Sequence, residues 1–477
     1  MLFNSLGYAV FLPIVFIVYW LIPHKYRWIF LLGASYYFYM SWNPKYVILI
    51  FGTTILSYLC AIKIEKTDSK KTKKVWMMSA LVVLIGLLFV FKYLNFFSAS
   101  VCEFLGLFSI KLNPFVYKLV LPVGISFYSF QMLSYVIDVY KGTVPAEHNF
   151  AIYASFISYF PKLFAGPIER ASNLIPQIKS EHKIDPDQIA YGLKLMLWGY
   201  FKKMVVSDYI SKYVDAVYGN VNGYHGFSFF IASVLFSIQI YCDFSGYSDI
   251  AIGTSELFGI HLMTNFRSPY FSKSVKEFWN RWHISLSTWF RDYVYIPLGG
   301  NRCSKAKHRM NLFVTLLLSG LWHGANWTFL AWGGVHGLAL VVEDILKKPL
   351  AKIHNSKIGG VISWIVTCFF CNLAWVFFRA DSISQACFVI RNMFSGIGNI
   401  GSCVASGIAE MAIPVGYIGV LLIILFIYDL IGMNTDAIKK LNKKSPWIKW
   451  PIYIIMTLIV VFMSQKGEPA EFIYLQF

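Results

Sequence analysis

The sequence predicts an all-α polytopic membrane protein. Of its 477 residues 57% are apolar and only 14% charged, against about 25% charged in a soluble globular chain. Mean hydropathy is +0.57, more apolar surface than soluble domains of this total length can bury. The apolar residues are gathered into stretches near the roughly 20 residues that an α-helix needs to cross about 30 Å of hydrocarbon.

In chain order, the expected spans are 6–22, 28–42, 46–62, 75–97, 119–140, 150–166, 188–207, 227–252, 311–326, 327–346, 361–378, 412–432 and 447–464. About 10 to 13 of these are expected to be transmembrane or re-entrant. The opening MLFNSLGYAVFLPIVFIVYWLIP has neither a basic n-region nor a small-residue cleavage site, so it reads as a retained first span. Residues 166–187 mix charges with proline and are expected to lie along an interface or re-enter. Pro161, Pro167, Pro297, Gly333, Gly334 and Gly337 fall at membrane depth or beside it. Irregular backbone survives there only when buried in protein or lining a wet cavity.

Charge orients the chain. Its net charge of +18 resides between apolar runs, which suits cytoplasmic loops facing anionic lipid and leaves no basic soluble domain for nucleic acid. The most basic connections are 63–74, 301–309, 347–357 and 439–449, and all four are expected in the cytoplasm. Parity then puts the uncharged N-terminus and the tail KGEPAEFIYLQF outside. Eight cysteines lie mostly in or beside apolar runs without paired metal-ligand spacing, so free thiols are expected.

Four clusters place polar groups where burial makes them costly. In VGISFYSFQMLSYVID, Ser126, Gln131, Ser134, Tyr135 and Asp138 share a helix face, consistent with interhelical hydrogen bonds. QIYCDFSGYSDIAIG holds Asp243 and Asp249, either catalytic or paired with an arginine such as Arg170 or Arg267. EFWNRWHISLSTWFRDYVYIPLGGNR packs Arg281, His283, Arg291 and Asp292 among aromatics, as an interfacial amphipathic helix can. SGLWHGANWTFLAWGGVHG carries His323 and His336 in an apolar hairpin. Gly324, Asn326, Trp322 and Trp327 around His323 suggest a shaped polar pocket, whereas His336 also fits a packing role. No metal set and no G-x-S-x-G elbow accompanies these histidines. A single histidine able to deprotonate a hydroxyl suits acyl transfer from an activated thioester. Arg281 and Arg291 are candidates for holding an anionic donor.

At these motifs the chain resembles the membrane-bound O-acyltransferase family, most nearly its alginate O-acetyltransferase branch. The resemblance runs almost end to end, through FNSLGYAVFLPIVFIVYWLIP, LPVGISFYSFQMLSYVIDVY, FPKLFAGPIER, IQIYCDFSGYSDIAIG, RWHISLSTWFRDYVYIPLGGNR and GLWHGANWTF. It implies a single domain over 1–477, with 267–346 as its catalytic segment. It also implies a ring of tilted helices around a thin centre, open to the cytoplasm and to the outside. His323 takes the family's catalytic position, and His283, 40 residues upstream, its second position, where sterol acyltransferases carry Asn. The resemblance further implies acetyl-CoA or a related cytoplasmic acetyl donor, no bound cofactor, and a bacterial plasma (inner) membrane location. The acceptor would be extracytoplasmic: a surface or secreted polysaccharide, reached through an esterase-like acetyltransferase partner. D-alanyl transfer to teichoic acid and transport without acyl chemistry are the competing expectations.

Overall fold

The computed structural model describes residues 1–117, 120–354, 356–395, 401, 415–464 and 472–473. Among them all regular structure is helical. The chain divides into two compact units, Met1–Gly192 with Ala251–Met263, and Leu193–Ile250 with Thr264–Phe477.

The first unit holds α1 (Leu6–Leu21), α2 (His24–Met40), α3 (Val47–Lys66), α4 (Lys70–Leu88), α5 (Leu94–Gly106), α6 (Ile125–Lys141), α7 (Phe150–Ser158), α8 (Ala171–Lys179) and the start of α9 (Pro186–Tyr200). Ser5 caps α1 by accepting the Tyr8 N–H, and Ser69 caps α4 by accepting that of Thr72, each satisfying a donor that the first helical turn leaves unpaired. The expected span 150–166 is helical only to Ser158: Pro161 disfavours helical angles at Phe160, whose N–H donates instead to Ser35 Oγ at 3.1 Å. The chain then turns through a buried stretch in which Lys162 Nζ donates to Gln131 Oε1 and to the Ile157 carbonyl. Tyr135 accepts the Glu147 N–H at 2.8 Å. Gln131 and Tyr135 thus bond to non-helical segments rather than, as expected, to another helix, and the Ser134 hydroxyl donates within α6 to the Gln131 carbonyl.

The second unit continues α9 through a π-helical stretch, Phe201–Ser207, into α10 (Asp208–Gly219). It then holds α11 (Phe227–Glu256, whose last turn belongs to the first unit), α12 (Val275–Arg281), α13 (Ile284–Phe290), α14 (Lys305–His323), α15 (Trp327–Ile345), α16 (Lys347–His354), α17 (Lys357–Arg379), α18 (Ile383–Asn392), α19 (Val415–Gly432), α20 (Ala437–Asn442) and α21 (Pro446–Met463). The α14–α15 hairpin packs closely at its glycines. A Cβ on Gly333 would lie 2.5 Å from the Leu316 carbonyl oxygen and 3.1 Å from Gly320 Cα.

Among the described residues six helical stretches are long and apolar enough to cross a membrane: Pro44–Lys66, Lys70–Gly106, Phe227–Glu256, Trp327–Ile345, Lys357–Arg379 and Pro446–Met463. Leu6–Leu21 and Gly416–Gly432 are shorter apolar helices. Among the described residues this is fewer full-length spans than the sequence predicts, because other expected runs form helices shorter than a crossing needs, as with α2 and α6 at 17 residues each. The protein is an all-α polytopic membrane protein. Residues 412–414 of one expected span, Cys403 and all of the tail except Phe472 and Ile473 lie outside the described residues.

Candidate active site

His323 is the last residue of α14, a helix opened by Ser304, which accepts the Lys307 N–H. The helix begins six residues before the expected span, so His323 stands about 27 Å along its axis from Lys305 at 1.5 Å per residue, rather than the roughly 18 Å measured from residue 311. Gly324 breaks the hairpin, and Asn326 restarts the chain as the cap of α15. The imidazole is 2% exposed. Its ring stands edge-on to Trp322 and Trp332, at 5.0 Å between centroids in each case, and to Phe378 at 5.4 Å. Such an aromatic surround excludes water and strengthens electrostatic interactions within it.

His283 is reached through a broken helix rather than the single amphipathic helix expected. Glu343 of α15 accepts the Val275 and Lys276 N–H groups at 2.5 and 3.0 Å, holding the start of α12 at the positive end of its dipole. The helix stops at Arg281, and His283 adopts left-handed backbone angles (φ 43°, ψ 53°) before α13 begins. A non-glycine residue pays roughly 1–2 kcal/mol for that conformation. Strain of this kind collects at functional positions. The ring is fully buried, 4.6 Å from Phe244 and 6.0 Å from Trp322. Trp322 therefore packs against both His283 and His323.

Beneath His283 lies a polar knot that sequence reasoning missed. Asn265 Oδ1 is 3.0 Å from His283 Nδ1, accepts the Ser285 hydroxyl at 2.9 Å, and accepts the Ser285 N–H at 3.3 Å. Asn265 Nδ2 donates to Ser248 Oγ of α11 at 3.1 Å. Asn265, Ser285 and Ser248 are all buried.

The other expected site residues are placed differently. Asp243 and Asp249 do not pair with Arg170 or Arg267. Lys203 Nζ sits 2.6 Å from Asp243 and 2.9 Å from Asp208, and Lys202 Nζ sits 2.6 Å from Asp249. The two lysines are adjacent on the π-helical stretch, whose extra residue per turn changes which faces they present. The signal was available: KK inside WGYFKKMVV is an ionisable pair in an apolar run, the same pattern that drew attention to the aspartates. Arg281 pairs with Glu277 at 2.8 Å, and the more exposed Arg291 pairs with Asp292 at 2.8 Å. Asn326 is engaged by backbone at both ends of its amide, accepting from Thr328 N at 3.0 Å and donating to the Asp381 carbonyl at 3.1 Å. It is a helix cap rather than a pocket lining.

A separate, mostly apolar cavity of about 470 Å³ lies among α11, α17 and α19, lined by Tyr241, Tyr270, Trp364, Asn372, Phe426 and Asp429 among others. Neither His323 nor His283 lines it.

Residues 144–379, which hold both histidines and the hairpin, match the model of the MBOAT, membrane-bound O-acyltransferase, family. The chain is 36% identical over 440 residues to the probable alginate O-acetylase AlgI of Pseudomonas aeruginosa, covering 92% of this chain and 82% of that one. The chain belongs to the membrane-bound O-acyltransferase family. It is also 34% identical over 437 residues to a peptidoglycan O-acetyltransferase of Helicobacter pylori, covering 84% of this chain and 81% of the other. A teichoic acid D-alanyltransferase of Streptococcus thermophilus is 28% identical over 282 residues, 55% of this chain and 68% of that relative. Membership makes the protein an acyltransferase, and its similarity to O-acetyltransferases over most of its length makes it an O-acetyltransferase.

Proposed function

We propose that this membrane-bound O-acyltransferase takes an acetyl group from a cytoplasmic donor, acetyl-CoA, and passes it across the plasma membrane of a bacterium to an extracytoplasmic acceptor, for O-acetylation of a surface or secreted polysaccharide. The observation that carries the reading is the placement of His323. It is a buried imidazole at the end of α14, enclosed by Trp322, Trp332 and Phe378 and joined through Trp322 to His283.

In this mechanism His323 is the general base. It takes the proton of the acceptor hydroxyl as that oxygen attacks the thioester carbonyl. The C–S bond then breaks, and the proton leaves with the CoA thiolate as CoA–SH. Holding acetyl and hydroxyl together while removing one proton is most of what an activated thioester requires. Arg281 and Arg291 flank His283 in sequence and attract the donor's phosphates in addition to their carboxylate partners. The donor never has to cross. An esterase-like acetyltransferase outside the membrane receives the acetyl group or carries it onward to polymer.

D-alanyl transfer is disfavoured by the lower identity and shorter coverage of the D-alanyltransferase relative. Transport without chemistry gives no role to an enclosed general base. The test is His323→Ala in cells, with polymer acetylation and protein level measured together. Acetylation should fall by about 10² to 10⁴, the usual contribution of an acid–base group, at unchanged protein level. Near-normal acetylation by a well-expressed variant would contradict the mechanism.

A further inference from the structure

The knot around Asn265 determines which proton His283 carries. The Ser285 backbone N–H can only donate, so the Asn265 amide atom 3.3 Å from it must be the oxygen. The reverse orientation would set two donors against each other and would turn the amide oxygen to Ser248. With the oxygen so placed, the imidazole atom 3.0 Å away, His283 Nδ1, must be the donor, because two lone pairs at that distance repel. The Ser285 hydroxyl, 2.9 Å from the same oxygen, donates to it, and its 3.5 Å approach to Nδ1 is consistent with a protonated Nδ1. Backbone pairing keeps the arrangement rigid. Ile284 N donates to the Asn265 carbonyl at 2.9 Å, and Arg267 N to the Arg281 carbonyl at 3.0 Å, so segments 265–267 and 281–285 hold each other across the left-handed kink at His283.

We propose that Asn265 is a positioning residue that locks His283 in its Nδ1–H tautomer, which makes Nε2 the proton-accepting atom of the ring. The proposal rests on the acetyl-transfer reading for its functional meaning, though not for its geometry. A neutral His283 held this way cannot donate from Nε2 to the thioester carbonyl and is not an oxyanion donor. It serves as an acceptor, taking a hydrogen bond from the acceptor hydroxyl or from the His323 ring. That is the division of labour in which a second group orients a base. Ser248 connects the knot to α11, so the tautomer is tied to a spanning helix rather than to a loop.

The direct test is ¹⁵N NMR of the full-length protein in lipid, labelled at histidine, with the His283 signals assigned by difference from His283→Gln. The expected spectrum has a protonated Nδ1 and a bare Nε2. A protonated Nε2 in the wild-type protein would overturn the proposal without any reference to turnover. The second arm compares Asn265→Asp, which retains an acceptor for Nδ1–H, with Asn265→Leu, which removes it. Asn265→Asp should keep the tautomer and most of kcat. Asn265→Leu should lose kcat, by no more than the roughly 10⁴ that a wrong tautomer costs a catalytic triad, with KM for acetyl-CoA unchanged. Equal losses in the two variants at matched protein level would overturn the positioning role. If the wild-type tautomer is as expected but His323→Ala retains acetylation, the functional reading fails and the tautomer assignment stands.

Discussion

Trp332 packs against two buried histidines that have different neighbours. His323, at one end of α14, adjoins Trp322 and through it His283. His336, nearly three turns along α15 from Asn326, is boxed by Phe278, Trp279, Trp332 and Phe370 at 5.0 to 6.0 Å between centroids. Neither ring nitrogen of His336 has a hydrogen-bond partner among the described residues. A buried, unsatisfied polar group costs about 1–3 kcal/mol, so an imidazole there acts as a flat aromatic filler at some loss of stability. His336→Phe should therefore melt at the same or a higher temperature and acetylate at near the wild-type rate. A loss of tenfold or more at normal protein level would place His336 in the chemistry instead. At this scale the sequence was informative where a residue stood out from its run. The spacing of 40 between His283 and His323 was legible once the family motifs were recognised. Asn265 was not, because TNFRSPYF reads as an ordinary polar loop until folding brings it beneath His283.

Among elements, the α14–α15 hairpin sets the position of His323, and its close packing depends on a few glycines. Gly333 faces α14, where a Cβ would meet the Leu316 carbonyl oxygen at 2.5 Å, whereas the nearest atom to a Cβ on Gly334 is a Leu317 methyl at 3.9 Å. Small residues at such crossings let helices pack without a solvent-driven hydrophobic term between them. Gly333→Ala should destabilise the detergent-solubilised protein by about 1–3 kcal/mol, as overpacking does. Gly334→Ala should be neutral or stabilising by up to about 1 kcal/mol, as expected when alanine replaces glycine inside a helix. Thermal unfolding of the two variants side by side checks this, and equal losses would show that the crossing is not what the glycines serve. The hairpin itself was legible from apolar length and the G-A-N break. The kink in RWHISLS was not, because a left-handed histidine leaves no periodic signature and the flanking aromatics continue a helical pattern through it.

For the whole molecule, composition decided the class: too few charges and too much apolar surface for water. It could not separate runs buried in protein from runs buried in lipid, since both are apolar. More spans are expected from the sequence than the six long apolar helices among the described residues, because several runs form helices shorter than a crossing needs. The central claim is that one chain moves an acetyl group from a donor on one side of the membrane to an acceptor on the other, with His323 as the base. The most direct measurement uses inside-out membrane vesicles, with acetyl-labelled acetyl-CoA supplied only to the outer, formerly cytoplasmic, face and the acceptor enclosed in the lumen. Wild-type vesicles should accumulate label on the lumenal acceptor, and His323→Ala vesicles with the same amount of protein should do so about 10² to 10⁴ times more slowly. Equal lumenal labelling by His323→Ala, or transfer by the wild type only when donor and acceptor share a compartment, would contradict the account.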